Sequence, residues 1–332
     1  VELLLFASDS NDLVRRSEAR FYLFSVLTNH TKLKSFLFKV AIFSVPGILA
    51  LIALFIFGKD YLAAYRITNS YSFNEKVKFL PRSKEMKILS IGSSMNLNNL
   101  YSQGVIEYLG SDEYLNSSVW GLSIMDQETL APIFEDMYHP KIVICVSNVM
   151  DFATPQIEYN ANDLSLFLIN RDIPFYKWFS FCAYYLKHTV KNFLNFRSNQ
   201  VYTSLVFDRW GGVPLAAKDF EIRKARWEEP LRFNLINQDA YCSLTKISKF
   251  YKAKGIRFIF IQSPVRQGIK IAGYSGGISL HTRKIKKILE SDGHIFKDFS
   301  NAVYPDSLFV DSAHLNENGA KKLTREIFET VP

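Results

Sequence analysis

The chain has 332 residues, 48% of them hydrophobic and 15% aromatic, with a net charge of +8. That length holds one large domain with additions or two domains, and the apolar content supports a sizeable core and excludes a wholly disordered polymer. The positive charge suits an anionic surface such as a membrane or an envelope polymer, yet no basic run is dense enough for nucleic acid. Cys145, Cys182 and Cys242 are widely spaced and odd in number, which excludes a disulfide framework or a metal-ligand cluster; Cys145, inside a strand-like run, reads as a small buried residue. The chain opens on Val1, which points to a fragment or to a gene with a non-standard start.

Residues 1–39 read as a cytoplasmic segment with a helix or two, apolar at Leu3, Leu4, Leu5 and Phe6 and charged at Arg15, Arg16, Glu18 and Arg20. Residues 40–57, VAIFSVPGILALIALFIF, carry no charge and meet the lower length bound of a transmembrane helix. A buried core helix is the alternative, but Pro46 and Gly47 suit a lipid environment better than a soluble helix interior. Lys32, Lys34 and Lys39 precede the span and only Lys59 and Arg66 soon follow it. The positive-inside rule therefore places the N-terminus in the cytoplasm and the rest outside, periplasmic or extracellular. Residues 58–85 read as a linker.

From residue 86 to 332 short strand-like runs alternate with helix-like ones. Strands are expected at 87–91, 117–120, 142–146, 257–262 and 295–299, and helices at 97–108, 126–137, 238–254, 280–290 and 316–330, with Gly255 as a helix stop. Such alternation predicts a parallel sheet covered on both faces. An aromatic and basic insertion interrupts it at about 152–236. It either packs its rings on the domain or forms a surface for the bilayer or for sugar rings. Within it, residues 207–213 have the composition of a shaped loop with no evident role.

Four segments carry the chemistry. Gly92-Ser93-Ser94 follows the first strand, where an open α/β sheet places its ligands. Asp311 and His314, just before the last helix, can share one turn as carboxylate and base, or can be a cap and a surface histidine. Gly121 and Asn148 follow the second and third strands; each is either a turn or cap residue or a hydrogen-bond donor to a tetrahedral oxyanion beside the Ser94 N–H. Asn316 reads as the cap of the last helix. His139, His188, His281 and His294 read as surface or strand-end residues, Lys284, Lys286 and Lys287 as a solvated helix face, and residues 273–277 as a flexible loop.

In this order the segments resemble the blocks of the SGNH (GDSL-like) hydrolase superfamily. The resemblance implies a three-layer α/β/α fold around a five-stranded parallel, flavodoxin-like sheet, here preceded by one transmembrane helix. It implies Ser94 as nucleophile, His314 and Asp311 as the rest of a triad, an oxyanion hole of Ser94, Gly121 and Asn148, and no cofactor or metal. Assigning Ser94 over Ser93 rests on alignment to the family's Gly-Asp-Ser. Ser93 stands where that motif has Asp, and Val146 and Val149 stand where the third block has Gly and Asp. Gly-Ser-Ser after an N-terminal span is similar to membrane-anchored relatives that partner membrane-bound O-acyltransferases. The implied function is a serine esterase or O-acyltransferase acting on acyl groups of extracytoplasmic polysaccharide or a related envelope polymer. A non-catalytic partner of a membrane-bound O-acyltransferase, presenting the acceptor polymer, is the alternative.

Overall fold

The computed structural model describes residues 32–53, 70–81, 84–157, 205–216, 235–271 and 275–329, apart from single positions between them. The chain divides into two units, residues 1–59 and 60–332. In the first, helix α1 (Lys32–Ala53) runs for 22 residues with no part of its most apolar stretch buried. At 1.5 Å per residue it is about 33 Å long, enough to cross the hydrocarbon of a bilayer. It starts at Lys32 rather than Val40, because lysine is a good helix former and Lys39 does not interrupt the winding. Residues 1–31 and 54–57 lie outside the described residues.

The second unit opens with helix α2 (Tyr71–Phe79), within the stretch expected to be a linker. Ser70 caps it, its Oγ accepting from the Phe73 N–H at 3.3 Å, and Phe73 and Val77, one turn apart, enter the core. The parallel sheet follows: β1 (Ile88–Ser90), β2 (Tyr114–Asn116), β3 (Ile142–Ser147), β4 (Arg257–Gln262) and β5 (Ile295–Asp298), in the order β2-β1-β3-β4-β5. The connecting helices are α3 (Ser94–Asn99), α4 (Ser102–Leu109), α5 (Ile124–Tyr138), α6 (Gln238–Ala253), α7 (Gln267–Ile271), α8 (Ser275–Ser291) and α9 (Glu317–Glu329).

Strand residues alternate between two cores. Val143, Cys145, Phe258 and Phe260 face one side, packed with α2, α5, α6 and α8; Ile144, Val146, Ile259 and Ile261 face the other, packed with α4 and α9. This is the three-layer α/β/α arrangement with flavodoxin-like strand order, whose switch point lies between β1 and β3. Each fully buried aliphatic or aromatic side chain contributes about 2 kcal/mol of transfer free energy.

Several elements depart from the sequence expectation. The second strand ends at Asn116 instead of spanning 117–120. The Asn116 Oδ1 accepts from the Ser118 N–H at 3.0 Å, an Asx turn that bends the chain, while the Ser117 and Val119 N–H groups still donate to Ser90 and Gly92 carbonyls. The helix expected at 97–108 is two helices, and the Tyr101 N–H left free at the break donates to Thr324 Oγ1 of α9 at 2.8 Å. Helix α8 starts at Ser275, so Gly276 and Gly277 are helical rather than loop; residues 272–274 lie outside the described residues. His281 is buried, not superficial: its Nδ1 pairs with Tyr241 Oη at 2.8 Å and its ring meets Phe152 edge-on, an apolar setting that lowers its pKa to about 4. Much of 152–236 lies outside the described residues.

The loop of residues 205–216 covers the edge of β2. The Asn116 N–H donates to the Trp210 carbonyl at 2.7 Å, and Asp208 Oδ1 accepts from the Trp210 and Gly212 N–H groups at 2.8 and 2.9 Å. Lys76 of α2 reaches this point fully buried, its ammonium donating to the carbonyls of Asn116 (3.0 Å) and Gly211. Burial drives its pKa well down, opposed in part by Asp208. Lys76→Ala would orphan both carbonyls, and urea unfolding of the variant should show a loss of about 3 kcal/mol.

Candidate active site

At the carboxyl end of β1 the chain turns sharply. A Cβ on Gly92 would stand 2.7 Å from the Asn96 Cβ, so the close return of α3 over the strand end requires glycine there. Ser93 caps α3, its Oγ accepting from the Met95 N–H at 3.1 Å, which makes Ser94 the first helical residue and leaves it half-exposed at the rim of the sheet. The turn is tied to the neighbouring strand by Asn96, whose Oδ1 accepts from the Val146 N–H at 2.8 Å.

His314 arrives from the other end of the chain, in the loop before α9. Asp311 Oδ1 accepts from the Ala313 and His314 N–H groups at 2.9 and 2.7 Å, closing the loop on the carboxylate. Asp311 Oδ2 lies 2.8 Å from His314 Nδ1, and His314 Nε2 lies 2.8 Å from Ser94 Oγ. An ionised carboxylate only accepts, so the imidazole proton sits on Nδ1 and Nε2 is left to accept from the Ser94 hydroxyl. The three side chains thus form one hydrogen-bonded relay.

Asn99 fastens the relay. Its Oδ1 accepts from the Leu315 N–H at 2.8 Å, and its Nδ2 donates to Ser263 Oγ and the Ala313 carbonyl at 3.0 and 3.3 Å. Sequence reading passed over it; the available signal was a short helix, residues 94–99, with three asparagines that all prove buried. Asn316 caps α9 as expected, its Oδ1 accepting from the Gly319 N–H at 3.0 Å.

Asn148 leaves the end of β3 across the switch point. Its Oδ1 accepts from the Met150 N–H at 2.8 Å, which fixes the amide so that Nδ2 donates to the Met95 sulfur, one residue from Ser94, at 3.1 Å. Gly121 follows Val119, whose N–H donates to the Gly92 carbonyl, so it lies on the same edge of the sheet; it is exposed, with a left-handed φ of +70°.

A second carboxylate, which sequence reading missed, lies beneath this edge. Asp151 accepts from Ser147 Oγ at 2.7 Å and from the Asn148 N–H at 3.2 Å, and the Ser93 hydroxyl also steadies its charge. Burial nevertheless pushes its pKa up to about 6. The available signal was the capping-box spacing of Asn148 and Asp151.

A hydroxyl, an imidazole and a carboxylate thus stand in one hydrogen-bonded relay at the carboxyl edge of the parallel sheet. A protein-family model matches residues 232–331, the part of the chain that carries β4, β5 and His314. No curated protein matches the chain. Solved structures similar to it include an acylhydrolase, a lipolytic protein of the G-D-S-L family and several esterases. A lipolytic-class protein of the G-D-S-L family from Desulfitobacterium hafniense DCB-2 is 10% identical, with 74% of this chain and 100% of that chain covered and a TM-score of 0.40. A catalytic mutant of Axe2, an acetylxylan esterase from Geobacillus stearothermophilus, is 14% identical, with 74% and 94% covered and a TM-score of 0.36. The psychrotrophic esterase EstA from Pseudoalteromonas sp. is 14% identical, with 73% and 93% covered and a TM-score of 0.35.

Proposed function

We propose that this chain is a membrane-anchored serine esterase or O-acyltransferase that acts on acyl groups of an extracytoplasmic polysaccharide or related envelope polymer. The observation that carries the reading is the continuous relay from Ser94 through His314 to Asp311, with both links at 2.8 Å. His314 Nε2 takes the Ser94 proton as Oγ attacks the ester carbonyl, and the resulting imidazolium is held by Asp311. Asn148 Nδ2, with the N–H groups of Ser94 and Gly121, would receive the oxyanion. Collapse of the tetrahedral intermediate expels the alcohol, which takes the proton back from His314 and leaves an acyl-Ser94. Water or a sugar hydroxyl then attacks, with His314 acting again as base. The apolar helix α1 supports attachment to a bilayer, and the lysines at its start support a cytoplasmic N-terminus with the catalytic unit outside. Residues 1–39 would then be cytoplasmic, 40–57 the core of the span, 58–85 the connection and 86–332 the SGNH-like domain with its insertion at 152–236.

The test uses the full-length protein in detergent with p-nitrophenyl acetate, quenched in acid and digested. An acetyl group on the peptide bearing Ser94 is the expected result, and faster release of it on adding a polysaccharide acceptor would make the enzyme a transferase. A folded protein that never acetylates would instead be a non-catalytic partner of a membrane-bound O-acyltransferase.

A further inference from the structure

Apart from the two cores that flank the sheet, a third apolar cluster gathers beside the proposed site. Leu97, Leu205, Val213, Leu215 and Val310 form it, each buried, and Trp120 packs against it half-buried. Half of these residues come from segments that carry the site. Leu97 lies one turn after Ser94 in α3, Val310 immediately precedes Asp311, and Trp120 immediately precedes Gly121. The others, Leu205, Val213 and Leu215, belong to the insertion at 152–236.

Backbone pairing repeats the pattern. The last turn of a helix leaves carbonyls without helical partners, and the first turn leaves N–H groups without them. Val213 serves the end of α3: its N–H donates to the Leu97 carbonyl at 3.0 Å, and its carbonyl accepts from Asn98 Nδ2 at 2.8 Å. Leu215 serves the start of α9, its carbonyl accepting from the Glu317 N–H at 2.9 Å. Residues 213–215 therefore run from the helix that presents Ser94 to the helix that follows His314. The turn at 208–212 fixes their approach: the Trp210 carbonyl accepts from the Asn116 N–H, and the buried Lys76 ammonium donates to the Gly211 carbonyl. Gly212 has no room for a side chain, since a Cβ would stand 2.6 Å from Ser102 Oγ and 2.7 Å from Asp208 Oδ2.

We propose that residues 205–215 of the insertion form a strap that positions the relay, holding the Ser94 helix against the Asp311–His314 loop through Val213 and Leu215. This role rests on the acyl-transfer reading of Ser94. Ser94 is set by the end of β1, but His314 rides on a loop 220 positions away in the chain. Asn99 ties the same helix to the backbone on either side of His314, and the strap adds the apolar packing that resists their separation. Misplacing reacting groups by about 1 Å can cost about 10²-fold in rate, so a contact that touches no substrate can still govern turnover.

The experiment measures fluorophosphonate labelling of Ser94 and p-nitrophenyl acetate turnover in the full-length protein. It compares wild type with Leu215→Ala, Leu215→Met, Asn98→Ala and Leu289→Ala. Leu289 of α8 is as deeply buried as Leu215 but belongs to the core shared with α5 and α6. Both alanine variants at leucine open a cavity, and both should lower the urea midpoint. Only Leu215→Ala should slow labelling, by about tenfold, and lower kcat by the same factor with KM within about twofold, because it loosens the reacting pair and no substrate contact. Leu215→Met refills the space and should restore most of the rate. Asn98→Ala strips the Val213 carbonyl of its donor and should slow labelling likewise; it decides the matter if Leu215→Ala does not fold. Labelling of Leu215→Ala no slower than that of Leu289→Ala, or a folded Asn98→Ala labelled at the wild-type rate, overturns the strap's role alone. A wild type that is never labelled overturns the proposed function and the strap's role with it.

Discussion

Ser94→Ala is expected to abolish phosphonate labelling and to lower ester turnover by about 10⁴-fold or more, leaving only what the oxyanion donors and binding contribute. On the proposed reading, no neighbouring hydroxyl among the described residues stands in for Ser94. Ser93 is adjacent, but it is buried and its Oγ accepts from the Met95 N–H in capping α3. The Nε2 of His314 is 2.8 Å from Ser94 Oγ and is fixed there by Asp311 and Asn99. Ser93→Ala should therefore keep the label on Ser94, and mass spectrometry of the labelled peptide separates the two serines. Ser94 is half-exposed in a first helical turn, so the alanine variant should unfold within about 0.5 kcal/mol of wild type. Labelling that survives Ser94→Ala would remove the serine nucleophile from the reading.

Asp311→Asn should cost about 10⁴-fold in turnover at neutral pH, although the two side chains have nearly the same shape. The asparagine carbonyl can still accept from the Ala313 and His314 N–H groups, so the loop keeps its form. The amide NH2 then faces Nδ1, where the carboxylate Oδ2 stands 2.8 Å away in the wild type. A donor at that place forces the imidazole proton onto Nε2, and His314 then donates to Ser94 instead of accepting from it. The deficit should shrink as pH rises and the serine hydroxyl loses its proton without help. Rates of p-nitrophenyl acetate hydrolysis at pH 7 and pH 10 test this, and a loss of the same size at both would mean that Asp311 only shapes the loop.

The parts of the molecule visible in one dimension are those governed by local physics. A charge-free run shows a helix suited to lipid because insertion depends on the residues within the run. Periodicity places β3 and β4 within a residue, since burial on both faces demands continuous apolar residues in each. Ser94 stands out because it opens a helix after a strand, Asn148 because it follows a strand, and Asp311 and His314 because of their spacing just before a helix. What escaped depends on partners distant in the chain. Asn99 owes its meaning to Leu315, 216 positions away, and Lys76 to Gly211, 135 positions away. The end of β2 is set by an Asx turn, and α3 and α4 separate where Thr324 takes the free N–H. Nothing in spacing or composition records such pairings, because a hydrogen bond between remote segments exists only once the sheet has brought their ends together. Asp151 is the clearest instance. In the sequence it is a cap after Asn148; folded, it is a buried carboxyl whose pKa burial raises to about 6, and only packing decides that.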